Sequence, residues 1–248
     1  MNKCVVVSGG AGGIGKGIVK FFAENGFHVI VLDIKVDGLS DLEDSIKDNL
    51  DCIPLDVTDT DMMNRWKSSL PSDFSVDHVI TLAGRALETE WFAFEKQPLS
   101  DLEKSVKINL LGHMNVIHTC LPFMKNSIIS PSILMISSIN AIGCFGLPAY
   151  SASKAGLYGF ANAIVSELGA KNIRINVLSL GTVVTEMTQR EPKDFDKLLK
   201  ATPLKRFVSI DDVSKMAFQI CVEHTSLTGQ NIVLDAGQST FHIDYNVL

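Results

Sequence analysis

The sequence predicts an α/β fold in which a doubly wound sheet of about seven parallel strands carries helices on both faces. Three observations predict it. Apolar segments of strand length alternate with helix-patterned segments along the chain. The apolar segments are continuous, as in Val29-Ile30-Val31-Leu32, which is typical of parallel strands covered on both faces. The chain of 248 residues is 46% hydrophobic and 20% charged, which suits a single domain, residues 1–248, with a full core.

Seven apolar segments are expected to form strands: Cys4–Ser8, His28–Asp33, Asp51–Leu55, Val76–Ala83, Ile133–Ser138, Ile173–Leu180 and Asn231–Asp235. About six helices fill the gaps, and the best patterned are Gly13–Asn25, Ser100–Lys125, Tyr150–Gly169 and Ile210–Glu223. Gly26 suits the left-handed position that follows a helix. Ser100 is expected to cap the second helix, with Glu103 completing a capping box.

Charge and composition exclude several kinds of partner. The 28 acidic and 22 basic residues give a formal net charge of −6, so nothing in the charge favours nucleic acid or an anionic membrane. The longest uncharged stretch, 126–153, is interrupted by proline and glycine, which favours a buried strand and a polar loop over a membrane span. No secretory leader is expected. The five cysteines are widely spaced and indicate reduced thiols in a cytoplasmic protein.

The first predicted strand runs into a glycine-rich turn over Ser8–Gly15, which reads SGGAGGIG, and a helix follows. Glycines let the backbone turn tightly and approach a pyrophosphate, and the N–H groups at a helix start bind the anion. Residues 10–16 also have most of the spacing of a nucleoside-triphosphate P-loop. That motif needs Ser or Thr next, and residue 17 is Gly, so the P-loop interpretation is rejected.

Asp33 ends the second predicted strand, where a carboxylate accepts hydrogen bonds from an adenosine ribose and repels a 2′-phosphate. It favours NAD over NADP, although Lys16 and Lys35 lie nearby and can attract a phosphate. The alternative is an ordinary surface residue at a strand end. Asp56 and Val57 follow the third strand and are candidates for contact with the adenine, or Asp56 simply starts a turn.

Tyr150 and Lys154 stand four residues apart, so a helix places both on one face. A free tyrosine has a pKa near ~10, and both an ammonium and an oxidised nicotinamide ring favour its phenolate, whereas burial opposes it. Lowering that pKa by about three units needs roughly 4 kcal/mol of differential stabilisation. Tyr150 is therefore predicted to be an acid or base near neutral pH.

Polar residues on two other elements complete this candidate site. Ser137 and Ser138 end the fifth strand, where a hydroxyl can bond a substrate carbonyl or merely form a turn. Asn109 lies on the buried stripe of the Ser100–Lys125 helix, where asparagine is a poor helix former. It is either a satisfied core amide or a helix kink that holds a water in a proton path to Lys154.

Together these residues resemble the short-chain dehydrogenase/reductase family in its single-domain form, which has a Rossmann-type sheet. The resemblance extends from about Cys4 to Gly237. The catalytic residues that it implies are Asn109, Ser138, Tyr150 and Lys154. The cofactor-binding residues that it implies are Ser8, Gly9, Gly13, Ile14, Asp33, Asp56, Val57, Ala83, Gly84, Tyr150, Lys154, Gly181, Val183 and Thr185.

The chain departs from the family pattern at a few positions. Residues 81–84 read Thr-Leu-Ala-Gly where the family has Asn-Asn-Ala-Gly, and Leu82 removes a polar side chain that usually ties the central strands together. Leu180-Gly181 stands where the family has Pro-Gly. Ser138 is closer to the tyrosine than is commonest, which leaves Ser137 as an alternative. None of these changes removes a catalytic group.

The resemblance implies NAD(H)-dependent hydride transfer between a secondary alcohol and a ketone. Tyr150 exchanges the hydroxyl proton, and Lys154 lowers the pKa of Tyr150 and binds the nicotinamide ribose. Ser138 orients the substrate oxygen, and Asn109 supports a proton relay. The alternatives are an NADPH-preferring 3-oxoacyl-type reductase and a non-catalytic dinucleotide-sensing protein. No metal site is expected, because the six histidines form no ligand cluster.

A small-molecule alcohol or ketone is expected to bind between Arg85–Phe94, Ile139–Leu147 and Val183–Lys205, with Asp194–Lys200 as a mobile lid. Large side chains predict a mostly apolar pocket, or simply pack beneath the loop: Trp91, Phe92, Phe94, Phe145 and Leu147. Small residues permit close approach of the Tyr150 helix to the sheet or to another subunit: Ala155, Gly159 and Ala163. The resemblance implies a homodimer or homotetramer.

Overall fold

A computed structural model describes residues 3–40, 42, 44–125, 127, 129–143, 146–185 and 195–240. The strands are β1 (Lys3–Ser8), β2 (Phe27–Asp33), β3 (Leu50–Pro54), β4 (His78–Thr81), β5 (Ser132–Ser138), β6 (Arg174–Leu180) and β7 (Asn231–Leu234). They form one sheet in the order β3-β2-β1-β4-β5-β6-β7, and every neighbouring pair is parallel. The predicted fold class is confirmed, and each predicted strand lies within one or two residues of its expected ends.

Eight α-helices accompany these strands in the part of the chain that the structure describes. They are α1 (Gly13–Glu24), α2 (Asp44–Lys47), α3 (Thr60–Ser69), α4 (Leu99–Val106), α5 (Gly112–Met124), α6 (Pro148–Gly169), α7 (Phe195–Ala201) and α8 (Ile210–Phe218). Wider π turns follow α4 at Lys107–Leu111 and α8 at Gln219–Glu223. The predicted helix Ser100–Lys125 is therefore interrupted by a π turn, and the predicted helix Ile210–Glu223 ends in one.

Helix ends follow the prediction at one position and contradict it at another. Gly26 has φ of 80° directly after α1, the left-handed conformation expected there. The predicted N-cap at Ser100 is wrong. Helix α4 begins at Leu99, and Pro98 holds the N-cap position with φ −62° and ψ 133°. The proline ring already fixes the φ that a helix start requires, so Ser100 falls inside the first turn.

The core occupies both faces of the sheet. Val5 and Val7 of β1 pack with residues of α1 and α8 on one face. Cys4 and Val6 point the other way and pack with α3, α5 and α6. Successive residues of a strand alternate between faces, so a strand covered on both sides is continuously apolar.

The small residues of α6 lie on its exposed side. Ala155, Gly159 and Ala163 are all exposed, whereas Leu157 and Ala161 of the same helix are fully buried against the sheet. The alternative in which the small residues contact the sheet is therefore wrong, because Leu157 and Ala161 provide that apolar contact.

Candidate active site

A cleft of about 530 Å³ opens at the carboxyl ends of the central strands. β1 lies between β2 and β4, so the strand order reverses there and the connections leave towards opposite faces. In parallel sheets this reversal creates a crevice for ligands. The cleft is lined by residues that follow β4, β5 and β6, and by Tyr150 and Lys154 of α6.

The glycine-rich turn forms one end of this region. Gly9 has φ of 73°, and a Cβ there would lie 2.6 Å from the backbone nitrogen of Ala83. Only glycine lets the chain after β1 pack so closely against the chain after β4. The segment after β4 is thereby held next to the start of α1.

The backbone N–H groups at the start of α1 are not covered by a capping side chain. Gly12 is the N-cap, and no side chain of the described residues caps the helix. A Cβ added to Gly12 would meet only the Gly9 carbonyl oxygen, at 3.7 Å. The first N–H groups of a helix have no partner within it, and they bind anions. The turn therefore fits the pyrophosphate of a dinucleotide.

Asp33 stands beside the same turn. Its carboxylate accepts hydrogen bonds from the N–H groups of Ala11 (3.1 Å) and Lys35 (3.1 Å). Each oxygen keeps a further lone pair for a ribose hydroxyl. Asp56 accepts the Thr58 N–H at 2.8 Å and so starts a turn, while its contact with the adenine stays a prediction.

Tyr150 and Lys154 both line the cleft from one face of α6. The Lys154 ammonium lies 5.7 Å from the centre of the Tyr150 ring and donates to the Ile136 carbonyl at 3.0 Å. Lys154 is 4% exposed, and this burial lowers its pKa from 10.5 to about 7. The Lys154 amino group therefore exchanges between its ammonium and neutral amine forms near neutral pH.

The two serines at the end of β5 make different contacts. Ser137 donates to the Lys154 carbonyl at 3.0 Å, which ties α6 to the sheet. Ser138 donates to the side-chain oxygen of Asn140 at 3.1 Å and accepts the Asn140 N–H at 3.2 Å. Asn140 lines the cleft beside Ser138 and lies in the predicted lining segment Ile139–Leu147, although the sequence did not single it out, because nothing local marks it.

Asn109 lies fully buried within the π turn after α4. Its side chain accepts the Arg85 N–H at 2.8 Å and donates to the Arg85 carbonyl at 2.8 Å. A Cβ on Gly84 would lie 2.6 Å from the Asn109 side-chain oxygen and 3.2 Å from the Lys154 nitrogen. Asn109 therefore fastens the segment after β4 directly over Lys154. Its part in a proton path stays a prediction.

The predicted site residues fall into two groups. Several line the cleft itself: Ile14, Gly84, Ser138, Tyr150, Lys154, Gly181, Val183 and Thr185. The others are not part of that lining: Ser8, Gly9, Gly13, Asp33, Asp56, Val57, Ala83 and Asn109. The described residues thus bring the tyrosine, the lysine and the nicotinamide-end residues of the prediction into one crevice.

Comparisons with known proteins agree with this geometry. Residues 9–239 match a family model described as enoyl-(acyl carrier protein) reductase. The chain is 30% identical over 250 residues to the 3-oxoacyl-[acyl-carrier-protein] reductase FabG of Chlamydia muridarum, which covers 96% of this chain and 98% of that protein. A solved oxidoreductase of the short-chain dehydrogenase/reductase family from Burkholderia thailandensis has a TM-score of 0.85 at 26% identity, covering 96% and 93% of the two chains.

The chain belongs to the short-chain dehydrogenase/reductase family. It is an oxidoreductase that acts on CH–OH groups with a nicotinamide dinucleotide. Another solved structure, a tyrosine-to-phenylalanine variant of ElxO with NADPH bound, has a TM-score of 0.86 at 25% identity. That alignment covers 96% of this chain and 99% of ElxO.

One departure from the short-chain dehydrogenase/reductase pattern, Thr81, is fully buried at the end of β4. The Thr81 hydroxyl and the His113 Nδ1 share a buried hydrogen bond of 2.7 Å. Burial, together with the charge of Lys154, holds the pKa of His113 well below its usual 6.5. This neutral pair joins β4 to α5 where the family has asparagine. His113 was recognisable on the buried helix stripe, but its partner was not.

Leu82 is a second departure from the family pattern, and its apolar side chain lines the cleft. The Ser8 hydroxyl is buried and has no hydrogen-bond partner among the described residues. Leu82 has no polar side-chain atom to offer Ser8, which ends the neighbouring strand β1.

The rest of the cleft of this short-chain dehydrogenase/reductase is mostly apolar. Trp91 and Leu147 line it as predicted. Phe92 and Phe94 do not, because they are 56% and 62% exposed. The buried Gln97 side chain donates to the Phe92 carbonyl at 2.9 Å, so the backbone of this segment faces inward and the rings face out. Phe145 lies outside the described residues.

Helix α7 contributes Lys197, Leu198 and Ala201 to the cleft wall, and Thr202 directly after the helix also lines it. This is the position expected of the predicted lid, whose first residue, Asp194, lies outside the described residues. Movement of the lid stays a prediction.

Proposed function

We propose that this oxidoreductase is NAD(H)-dependent and interconverts a secondary alcohol and a ketone, with Tyr150 as the acid or base. The observation that carries the proposal is the placement of Tyr150 and Lys154 side by side in the cleft that begins at the glycine-rich turn. A phenol and an ammonium in one water-poor crevice suit proton exchange with a substrate hydroxyl.

A bound nicotinamide ring supplies the acceptor or donor of the hydride. Tyr150 takes the proton of the substrate hydroxyl in oxidation and returns it in reduction. Lys154, held by the Ile136 carbonyl, favours the phenolate by its charge. Ser138 orients the substrate oxygen, and Asn109 keeps the segment after β4 in place over Lys154.

The proposed cofactor contacts run along the crevice. The pyrophosphate lies against the α1 start, the adenosine ribose at Asp33, and the nicotinamide end at Lys154 and beyond β6. The proposed contact residues are Ser8, Gly9, Gly13, Ile14, Asp33, Asp56, Val57, Ala83, Gly84, Tyr150, Lys154, Gly181, Val183 and Thr185. The mostly apolar lining suits an alcohol or ketone whose substituents are hydrocarbon.

The decisive experiment compares Tyr150→Phe with Tyr158→Phe. Tyr158 lies two turns further along α6 and is 39% exposed, so it is a matched control. We expect Tyr150→Phe to lower kcat at least about 100-fold while NAD⁺ binding persists, because only the proton donor is lost. Turnover equal to that of the control would contradict the assignment. Tight NAD⁺ binding by wild type without turnover of any alcohol would favour the sensing role.

A second candidate is an NADPH-preferring 3-oxoacyl-type reductase. The similarity to the 3-oxoacyl reductase and to the NADPH-bound ElxO structure favours it. The Asp33 carboxylate favours NAD, because it repels a 2′-phosphate. We expect kcat/KM to be higher with NADH than with NADPH and Asp33→Ser to reverse the order. A wild type that prefers NADPH would establish the second candidate.

We also propose that the chain works as one domain in a homodimer or homotetramer. The exposed small residues of α6 support this, because they permit close approach of a second helix. No helix in the described part of the chain is long and apolar enough to span a membrane. We propose a cytoplasmic location because the widely spaced cysteines indicate reduced thiols. We propose no binding of nucleic acid, because the net charge of the chain is −6.

A further inference from the structure

A buried acidic residue stands outside the predicted site. Glu90 lies in a short 3₁₀ turn, Glu88–Trp91, and is 3% exposed, whereas Glu88 in the same turn is exposed. A carboxyl group is costly to bury unless donors surround it. The position of Glu90 therefore requires an explanation in its contacts.

Three donors from three segments converge on this carboxyl group. One oxygen accepts the Ser105 hydroxyl at 2.8 Å and, more weakly, the Leu87 N–H at 3.4 Å. The other oxygen accepts the backbone N–H of Tyr150 at 2.8 Å. Glu90 thus joins the loop after β4, helix α4 and the start of α6.

The start of α6 needs such a contact. Leu147 is its N-cap, with φ of 56° and ψ of 68°, and no side chain of its own caps the helix. Gly146 before it also has a positive φ, of 78°. A left-handed leucine is unfavourable because its Cβ crowds the backbone, so the surroundings must hold it. Glu90 accepts the N–H of Tyr150, the third residue of the helix, in place of a local cap.

We propose that Glu90 is a positioning residue, which fixes the catalytic helix at Tyr150 and couples it to Asn109. The coupling runs through Ser105, which donates to Glu90 and accepts from the Asn109 side-chain nitrogen at 3.2 Å. The proposal rests on the proposed function, because the position that matters is that of the Tyr150 phenol. Glu90 itself does not touch the substrate; it acts through the backbone of Tyr150.

The test compares Glu90→Ala, Glu90→Gln and, as a matched control, Glu88→Ala, with active sites counted by NADH binding. Misplacement of a reacting group by about 1 Å costs up to roughly 100-fold in rate. We expect Glu90→Ala to lower kcat about 30-fold with KM changed less than about threefold. The deuterium isotope effect of an alcohol labelled at the carbinol carbon should rise as hydride transfer becomes limiting.

Glu90→Gln should restore kcat to within about threefold of wild type, because its carbonyl can accept the Tyr150 N–H while its amide donates to the Ser105 hydroxyl oxygen, and only the weaker contact with the Leu87 N–H is lost. A residue that merely stabilises the fold would lower the melting temperature and leave kcat per active site and the isotope effect unchanged. If Glu90→Ala fails to fold, Ser105→Ala replaces it in the test, and we again expect a lower kcat with little change in KM. Glu90→Ala matching Glu88→Ala, or Glu90→Gln failing to rescue, overturns the proposal.

A second measurement separates this proposal from the proposed function. Hydrogen exchange of the Tyr150 amide, followed by NMR, should be slow in wild type and in Glu90→Gln but fast in Glu90→Ala. If wild type turns over no alcohol or ketone, the proposed function fails. Unchanged exchange in Glu90→Ala then overturns the positioning role as well, whereas faster exchange confined to the start of α6 upholds it.

Discussion

Lys154 should make the stability of the protein depend on pH. Burial lowers its pKa from 10.5 to about 7 in the folded chain, while the unfolded chain keeps the higher value. Between these values the unfolded state binds more protons than the folded state. The free energy of unfolding therefore rises with pH across this range and falls as the pH drops towards 7.

The size of the effect follows from the two pKa values. From about pH 7.5 to about pH 9.5, linkage gives a rise of about 2.5 kcal/mol from this one group. Lys154→Met keeps a side chain of similar length without the titrating nitrogen, so it should lack this rise. The titrations of the buried thiols Cys4 and Cys221, whose pKa values burial raises to about 12 and about 11, are common to both proteins and cancel.

The assay is urea unfolding of wild type and Lys154→Met without cofactor, at both pH values. The difference between the proteins should change by about 2.5 kcal/mol in favour of wild type at the higher pH. Lys104→Met, on an exposed position of α4, controls for the substitution itself. A change below about 1 kcal/mol would refute the reasoning, because it would mean that burial does not disfavour the ammonium.

Three further predictions concern other parts of the molecule. Gly84→Ala should lower kcat at least about 10-fold, since its Cβ would lie 2.6 Å from the Asn109 oxygen, whereas Gly159→Ala, with nothing within 4 Å, should leave steady-state kinetics unchanged. Thr81→Val should destabilise the fold by about 1–3 kcal/mol in urea, because the His113 Nδ1 loses its partner; a smaller loss than about 0.5 kcal/mol would count against it. Gly159→Arg should reduce the oligomer size measured by light scattering, and an unchanged mass would remove α6 as the interface.

The fold was predictable because its signal is local. Each parallel strand buries both faces, so it appears as a continuous apolar run such as Val29–Leu32. The glycine-rich turn is equally readable, since a positive φ and a close backbone approach admit only glycine at Gly9. Tyr150 and Lys154 lie one helical turn apart, and spacing alone places them on one face.

The predictions that failed were decided by residues only a few positions away in the chain. Phe92 and Phe94 look like pocket residues by composition, yet the hydrogen bonds of Gln97 turn their segment so that the rings face outward. Ser100 has the chemistry of a cap, yet Pro98 starts the helix earlier. In both cases a neighbouring residue with its own geometric requirement decides the outcome.

The sequence by itself determined the order of strands and helices, the turn suited to a dinucleotide and the pair suited to proton exchange. All of these are encoded within a few residues of one another, where backbone sterics and helical periodicity act. Only the tertiary structure decided that Glu90 accepts the Tyr150 N–H, that Thr81 forms a hydrogen bond with His113, and that Lys154 is buried away from water. Those three depend on how the chain closes around the cleft, because hydrogen bonding and desolvation respond to whatever lies nearby in space, however far away it is in sequence.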